Sequence, residues 1–345
     1  MTAVPVLAAG PVVLRVHRRS VVVCLVLGVL LLAAIVLSLA AGTNSFPLDQ
    51  VFTAVFGEGK PATELIVAEL RLPRAVTGAL VGIALGISGG IFQSLTRNPL
   101  GSPDVVGFGQ GATTGALVTM LLLHGGFVAA SFGAVVGGVV TAALVFGLAY
   151  HRGSIAPLRI VLVGLGLALM LISVNQLLIV RSQLYDAQSA SAWIVGSLAG
   201  REWNQVKLMG AVLVVGLVAC VFLMRPLSLS EFSDERSMSL GLRIGRARFA
   251  AVGTGVLLAS AAVAAAGPIQ FVALPAPQIA RRLTRAAGPN LTASGLTGGL
   301  LLVLADFLAR EAFQPRLVPV GVVTGVVGGL YLAWLLSREW KKGRA

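Results

Sequence analysis

Charge is scarce in this chain. Only 11% of its 345 residues are Asp, Glu, Lys or Arg, against about 25% in soluble domains. Acids are the scarcer sign, 13 against 26 Lys and Arg. So little charge cannot cover a core this apolar, which excludes a water-soluble globular protein. Cysteine is nearly missing: Cys24 and Cys220 both sit in apolar runs, which excludes a disulfide framework. His17, His124 and His151 are scattered, and none stands with Cys or carboxylates at metal-ligand spacing. A resident metal is not expected. No GxxxxGK followed by Ser or Thr occurs. Gly57-Glu58-Gly59-Lys60-Pro61 lacks both the spacing and the hydroxyl of a phosphate cradle. ATP therefore cannot bind here in the P-loop manner, and any hydrolysis must come from a separate subunit. No nucleophile–base pair or redox constellation is present, so the chain does not read as an enzyme.

What is abundant is apolar surface and glycine. Hydrophobic residues make up 57%, mean hydropathy is +0.92, and there are 42 glycines. This composition predicts an all-α polytopic membrane protein, with small residues letting helix backbones approach closely in lipid. A net charge of +13 suggests nucleic acid at first sight. The basic residues fall in short segments between apolar runs, which rejects that reading.

In chain order, residues 1–20 form a basic N-terminal tail. Ten spans are expected, at about Val21–Ala41, Ala75–Leu95, Val105–Leu123, Gly126–Tyr150, Ile160–Val180, Leu208–Met224, Phe249–Ala266, Ile269–Ala280, Leu296–Ala309 and Val320–Leu336. Together, 21–337 form one transmembrane domain, and 338–345 a C-terminal tail. The first run is too long for a signal-peptide core and is read as a retained helix. Ile269–Ala280 is short and carries Pro275 and Pro277, so a re-entrant segment is the alternative. Charge decides it: only if this segment crosses does the Lys341-Lys342-Gly343-Arg344 tail join most other Lys and Arg on one side. The positive-inside rule makes that side cytoplasmic, with both termini.

Several segments stand out. Residues 225–248 are the longest charged loop. Within it, Ser228 with Glu231, and Ser233 with Arg236, suggest two short helix starts, with Gly241 as a stop. Leu229, Phe232, Met238, Leu240 and Leu242 suit a groove in a partner; an ordinary surface loop is the alternative. Asn98, Pro99, Ser102, Pro103 and Asp104 form a turn, with Asp104 expected to cap the next helix. Asn175 and Gln176 are polar within an apolar run and either bridge helices or line a path. Gly321, Gly325 and Gly329 recur every four residues, as on a packing face. Asp306, deep in an apolar run, reads as a hydrogen-bonded structural acid. Arg71, Arg74 and Arg310 lie at membrane level on the outer side, where snorkelling is the bland reading. Pro157 and Leu158 follow a tight turn, Arg152–Leu158.

The stretch Arg71–Gly115 carries a resemblance. RLPR, the GxxLGxSGxxFQ run, RNPLGSPDVVGF and Gly111-Ala112 resemble the signature of the FecCD family, permease subunits of bacterial ABC importers for iron–siderophore complexes, haem and cobalamin. GGIFQSLTRNPLGSPDVVGF is most similar to permeases for ferric enterobactin and related catecholates. Ala266–Leu274, Pro277–Arg281, Leu304–Asp306 and Pro319–Thr324 are similar to its later motifs. Three positions depart: Gln278 where the family usually has His, Leu317 where it often has Glu, and Ser233 where it usually has Gly.

The resemblance implies a type II ABC importer permease fold in the inner or plasma membrane. It implies two ATPase subunits carrying ATP and Mg, and no cofactor on this chain. It also implies an extracytoplasmic substrate-binding protein, a ferric siderophore as cargo, and a second permease subunit, with a heterodimer preferred over a homodimer. By motif position it assigns docking of the binding protein to Arg71, Arg74 and Arg310. ATPase coupling falls to Ser228, Leu229, Glu231, Phe232, Ser233, Asp234, Glu235, Met238, Leu240 and Gly241. The pathway and gate fall to Pro157, Leu158, Asn175 and Gln176, and architecture to Asn98, Pro99, Pro103 and Gly321. Competing readings are a cobalamin or haem permease, and an ion-coupled secondary transporter whose lone mid-membrane acid would be Asp306.

Overall fold

A computed structural model describes residues 6–9, 12–15, 18–42, 44–151, 154–155, 157–232, 234–241, 243–313 and 318–342. The helices are α1 (Arg18–Ala40), α2 (Leu48–Val55), α3 (Pro61–Glu64), α4 (Leu72–Thr96), α5 (Phe108–Leu117), α6 (Phe127–Ala149), α7 (Pro157–Arg181), α8 (Leu184–Ile194), α9 (Trp203–Ser230), α10 (Asp234–Ser239), α11 (Ile244–Ala266), α12 (Pro275–Thr284), α13 (Leu291–Glu311) and α14 (Val320–Lys342). π-Helical turns, Leu65–Arg71 and Val118–Leu122, join α3 to α4 and extend α5. Two small antiparallel hairpins complete the described residues. β1 (Val6–Ala9) pairs with β2 (Val12–Arg15) inside the expected tail. β3 (Tyr150–His151) pairs with β4 (Ser154–Ile155) across the turn before α7.

The protein is a helical polytopic bundle. Among the described residues, seven helices are long and apolar enough to cross a membrane: Arg18–Ala40, Pro61–Thr96, Val128–Ala149, Leu158–Arg181, Trp203–Ser230, Ile244–Ala266 and Leu291–Glu311. The other three expected spans fall short of that, α12 in apolar character as well as in length. One is α5 with its π turn, one is α12, and one is the Val320–Leu335 part of α14.

The core forms around α4, which packs mainly on α13 and α11. Glycine makes that possible. A Cβ on Gly82 would lie 2.7 Å from the Gly299 Cα, and one on Gly86 would lie 2.9 Å from the Ser294 carbonyl carbon. Helices this close gain dispersion contacts that larger residues would forbid. Pro73 sits in the first turn of α4, where its missing N–H costs nothing. Arg97, with φ 51°, ends that helix in the left-handed conformation.

The ends of the bundle are defined by contacts. The Arg71 guanidinium donates to the Leu39 and Ala41 carbonyls at the C-terminus of α1. At the opposite end, Arg19 near the start of α1 donates to the Leu283 carbonyl at 2.8 Å. Arg97 there donates to the Ser230 carbonyl at 2.8 Å.

Between the ends, residues 267–284 run the full depth in two styles. Gly267 packs against Trp193 and Gly196, whose neighbour Leu198 touches the Gly78 region near the Arg71 end of α4. Leu283 lies at the Arg19 end. The ten residues of α12 cover only about 15 Å at the helical rise, half the hydrocarbon thickness. Unwound backbone makes up the rest. Its polar groups find protein partners: the Gln93 side-chain amide donates to the Leu274 carbonyl at 2.9 Å, and Ala276 N–H donates to Val272. Pro275 and Pro277 fall in the first turn of α12, where a missing N–H costs nothing, and Leu274 before them already takes helical angles, φ −86° and ψ −56°.

Candidate functional site

At the Arg71 end, the three arginines expected to receive a partner's acids are engaged inside the chain. Arg71 holds three carbonyls, those of Leu39, Ala41 and Asn44, between 2.7 and 2.9 Å, and its charge lies 5.3 Å from the Phe46 ring. Arg74 makes a fork on Asp306, with Nη2 at 2.7 Å from Oδ1 and Nε at 2.9 Å from Oδ2. Arg310 lies 3.4 Å from the same carboxylate and also bonds the Ser38 hydroxyl. Asp306 is 2% exposed, so one buried acid binds two arginines and joins α4 to α13. Ionised groups at such depth persist only when paired.

At the Arg97 end, the 225–248 loop differs from expectation in one respect. Helix α9 runs through Pro226 to Ser230. Ser228 is therefore not a helix start; its hydroxyl donates to the Met224 carbonyl in the last turn. Among the described residues of this loop only one separate short helix, α10, is present, carrying Asp234 and Glu235. Ser233 and Leu242 lie outside the described residues, as does Leu317. Gly241, with φ 81°, ends the segment in the left-handed region. Phe232, Met238 and Leu240 are each more than half exposed, while Leu229 is half-buried and its carbonyl receives the Ser237 hydroxyl at 2.7 Å. Glu231 is exposed and faces Arg281 of α12 at 3.5 Å.

The capping box lies elsewhere. Glu202 and Gln205 exchange side-chain and backbone bonds at the start of α9. A search for Ser or Thr at the cap misses it, because Glu takes the capping role.

The turn after α4 is built from its polar residues. Asn98 Oδ1 accepts from the Leu100 N–H at 2.9 Å, Pro99 accepts from Gln278 at 2.7 Å, and the Pro103 carbonyl accepts from Phe108 N–H. Asp104 does not cap α5; Gly107, with φ 85°, holds that position. Asp104 instead accepts the Phe271 backbone N–H, and burial pushes its carboxyl up to about 6 against that bond. Its Oδ2 has no hydrogen-bond partner among the described residues. It lines a cavity of about 210 Å³ with Ser102, Gln110, Gln270 and Phe271.

Asn175 and Gln176 part company. Asn175 is buried and ties α7 to α5, accepting the Thr114 hydroxyl at 2.7 Å. Gln176 is exposed, on a face with Leu169, Ile172 and Leu177. Leu158 is 69% exposed, beside Pro157 at the start of the same helix. The glycine face of α14 is also redistributed. Gly321 abuts the Val195 carbonyl, and its N–H donates to Gly196. Gly328 abuts Phe271, whereas Gly325 and Gly329 have open space before them.

Residues 30–338 match the model of the FecCD transport family. The chain belongs to that family. It is 41% identical over 327 residues to the ferric enterobactin transport system permease protein FepG of Escherichia coli K12, covering 95% of this chain and 99% of that one. It is 35% identical to the Fe(3+)-citrate import system permease protein YfmE of Bacillus subtilis 168, covering 95% and 98%. A solved ABC transporter described as metal-chelate type, in an inward-facing conformation, matches the fold with TM-score 0.80 at 24% identity, covering 92% and 99%. As a FecCD protein the chain is a transporter permease subunit and not itself catalytic, and it works within a bacterial ABC importer that includes an ATPase and a binding protein. Gln278, the FecCD departure from His, keeps a bridging role: it donates to Pro99 and accepts the Tyr331 hydroxyl at 3.1 Å.

Proposed function

We propose that this chain carries a ferric siderophore, of catecholate type, from an extracytoplasmic binding protein across the inner or plasma membrane. The observation that carries the reading is the end-to-end match to a permease named for ferric enterobactin. Other relatives named for citrate and hydroxamate complexes match at 31–35%. The cargo moves as a whole chelate. Uptake of radiolabelled ferric catecholate, ferric hydroxamate, ferric citrate and cobalamin by a deletion strain, with and without this chain, tests it. Restoration of only a non-catecholate substrate rejects the assignment.

The remaining parts are proposed as follows. Both termini are cytoplasmic, which puts 229–241 against an ATPase; exposed Phe232, Met238 and Leu240 supply the apolar contact, with ATP and Mg held by that partner. The path forms where exposed faces of α7 and α14, with Gln176 and open Gly325 and Gly329, meet a second, homologous permease subunit. Leu158, with Pro157, narrows its inner mouth without charge. The binding protein docks over the Arg71 end. Arg71 meets it, while Arg74 and Arg310 hold the surface from beneath through Asp306. Glu in place of Arg71 lowers docking affinity; unchanged affinity in a pull-down titration removes Arg71 from the interface.

A further inference from the structure

Helix α12 is short, amphipathic in sequence, and gripped from every side at the Arg97 end. Its N-terminus hangs from unwound backbone in which Phe271 adopts φ 62°. Toward the 229–241 segment it offers Arg281, 3.5 Å from Glu231. Toward α14 it offers two contacts. Gln278 accepts the Tyr331 hydroxyl, and the Arg282 guanidinium lies 5.2 Å from the Trp334 ring. Tyr331 and Trp334 also touch, with ring centroids 5.8 Å apart. Helix α14 packs extensively only on α13 among the described elements, so these side chains fix its inner half.

From this arrangement we propose that α12 is a lever, with Glu231–Arg281 as its input and Gln278–Tyr331 and Arg282–Trp334 as its outputs. It pivots on residues 267–274 and carries displacement of the 229–241 segment to α14. The inference rests on the proposed ATPase contact of that segment. The physical argument has three steps. An exposed ion pair adds little to stability, so such a contact at a joint can stretch without unfolding its surroundings. A ten-residue helix moves as a rigid piece, whereas the non-helical backbone before it can absorb the change in angle. A cation over an aromatic face, next to a hydrogen-bonded Gln, resists sliding of α14 past α12. Intermediate position alone does not demonstrate coupling, so the test must be energetic.

The complete importer is reconstituted in vesicles and ATP-driven uptake is measured. E231R and R281E, singly, are expected to lower uptake at least about fivefold, in the range of ordinary coupling energies. The double exchange restores opposite charges and recovers uptake to within about twofold, a rescue that loss of folding does not produce. Y331F combined with W334L lowers uptake per ATP hydrolysed while hydrolysis continues. Spin labels at exposed Ser239 and Ser337 report an ATP-driven distance change in the otherwise unsubstituted importer. That change is lost in R281E and regained in the double exchange. Wild-type uptake in either single variant, or a double exchange no better than the singles, overturns the lever. So does an unchanged label response in R281E. Should a single variant fail to assemble with the ATPases, E231Q and R281Q replace it, with the same expectation for the label distance. An unsubstituted importer without ATP-driven uptake defeats the proposed function instead.

Discussion

The two ends of α4 handle charge in opposite ways. At the Arg71 end, a carboxylate 3% exposed in its side chain holds Arg74 in a two-point fork with Arg310 alongside. At the Arg97 end, Glu231 and Arg281 meet at a single 3.5 Å contact, with side chains 32% and 37% exposed. Water competes for the second pair and not for the first. The buried arrangement is therefore locked, because separating it strands charge in an apolar interior. The exposed one is adjustable, because its members can be solvated when apart. A bundle that must stay together yet transmit motion has a use for both.

Four substitutions press on that contrast. Asp306→Ala leaves two half-buried guanidinium groups without their acid. It is expected to cost about 3–5 kcal/mol, the range for breaking a buried pair from one side. Thermal unfolding in detergent, or plain loss of folded yield, reads it; an unshifted midpoint means that water already reaches the Arg71 end.

Asp104 is next and has the opposite sign. Its carboxyl is raised to about 6 from 3.8, first by burial, with the Phe271 N–H opposing. The folded state thus favours the neutral acid. Below pH 4 both states hold the proton and nothing is lost. Between about 4 and 6 the unfolded chain ionises first, and above 6 the folded state bears the full penalty. Asp104→Asn should therefore raise the unfolding midpoint at pH 7–8, by at most about 3 kcal/mol at roughly 1.4 per pKa unit. Below pH 4 the gain should vanish. A gain independent of pH would show that side-chain shape, not charge, is responsible.

Gly86→Val tests the packing that holds both ends in register. Its side chain would run into the Ser294 and Gly295 backbone, and overpacking of this kind costs about 1–3 kcal/mol. Denaturation of the purified variant beside Gly210→Val, where the space is open, checks it; equal losses would mean propensity rather than crowding. The smallest effect is expected for Arg281→Gln, below about 1 kcal/mol in stability. A fall in its melting point comparable to that of Asp306→Ala would erase the distinction between the ends.

Much of this architecture could be read from residue order. Apolar runs located the helices, because a membrane core demands about twenty such residues, and the motifs at Arg71–Gly115 carried the family. Gly241 was legible as a stop because only a left-handed residue ends a helix that way. Other features depended on neighbours. The span expected to end at Met224 continues as α9 through Pro226 to Ser230; tolerance of a proline is set by what meets the freed carbonyl, which sequence does not state. Ser228 and Glu231 had capping spacing, but spacing says nothing about whether a helix already occupies the site. The fork from Arg74 to Asp306 spans 232 positions, so only the packed bundle reveals it. Gly325 and Gly329 shared a period with Gly321, but the period does not say which side finds a neighbour.

That fork also has a consequence for how the chain is made. Arg74 leaves the ribosome 232 positions ahead of its acid, so until α13 is made its charge must snorkel toward the headgroups instead of pairing. The first helix gives only carbonyls to the neighbouring Arg71. A product released before Leu291 can never complete α13, and its hub helix stays a poor lodger in the bilayer. Completion of the buried pair is thereby tied to the last sixth of translation, since α13 begins at Leu291 of 345 residues.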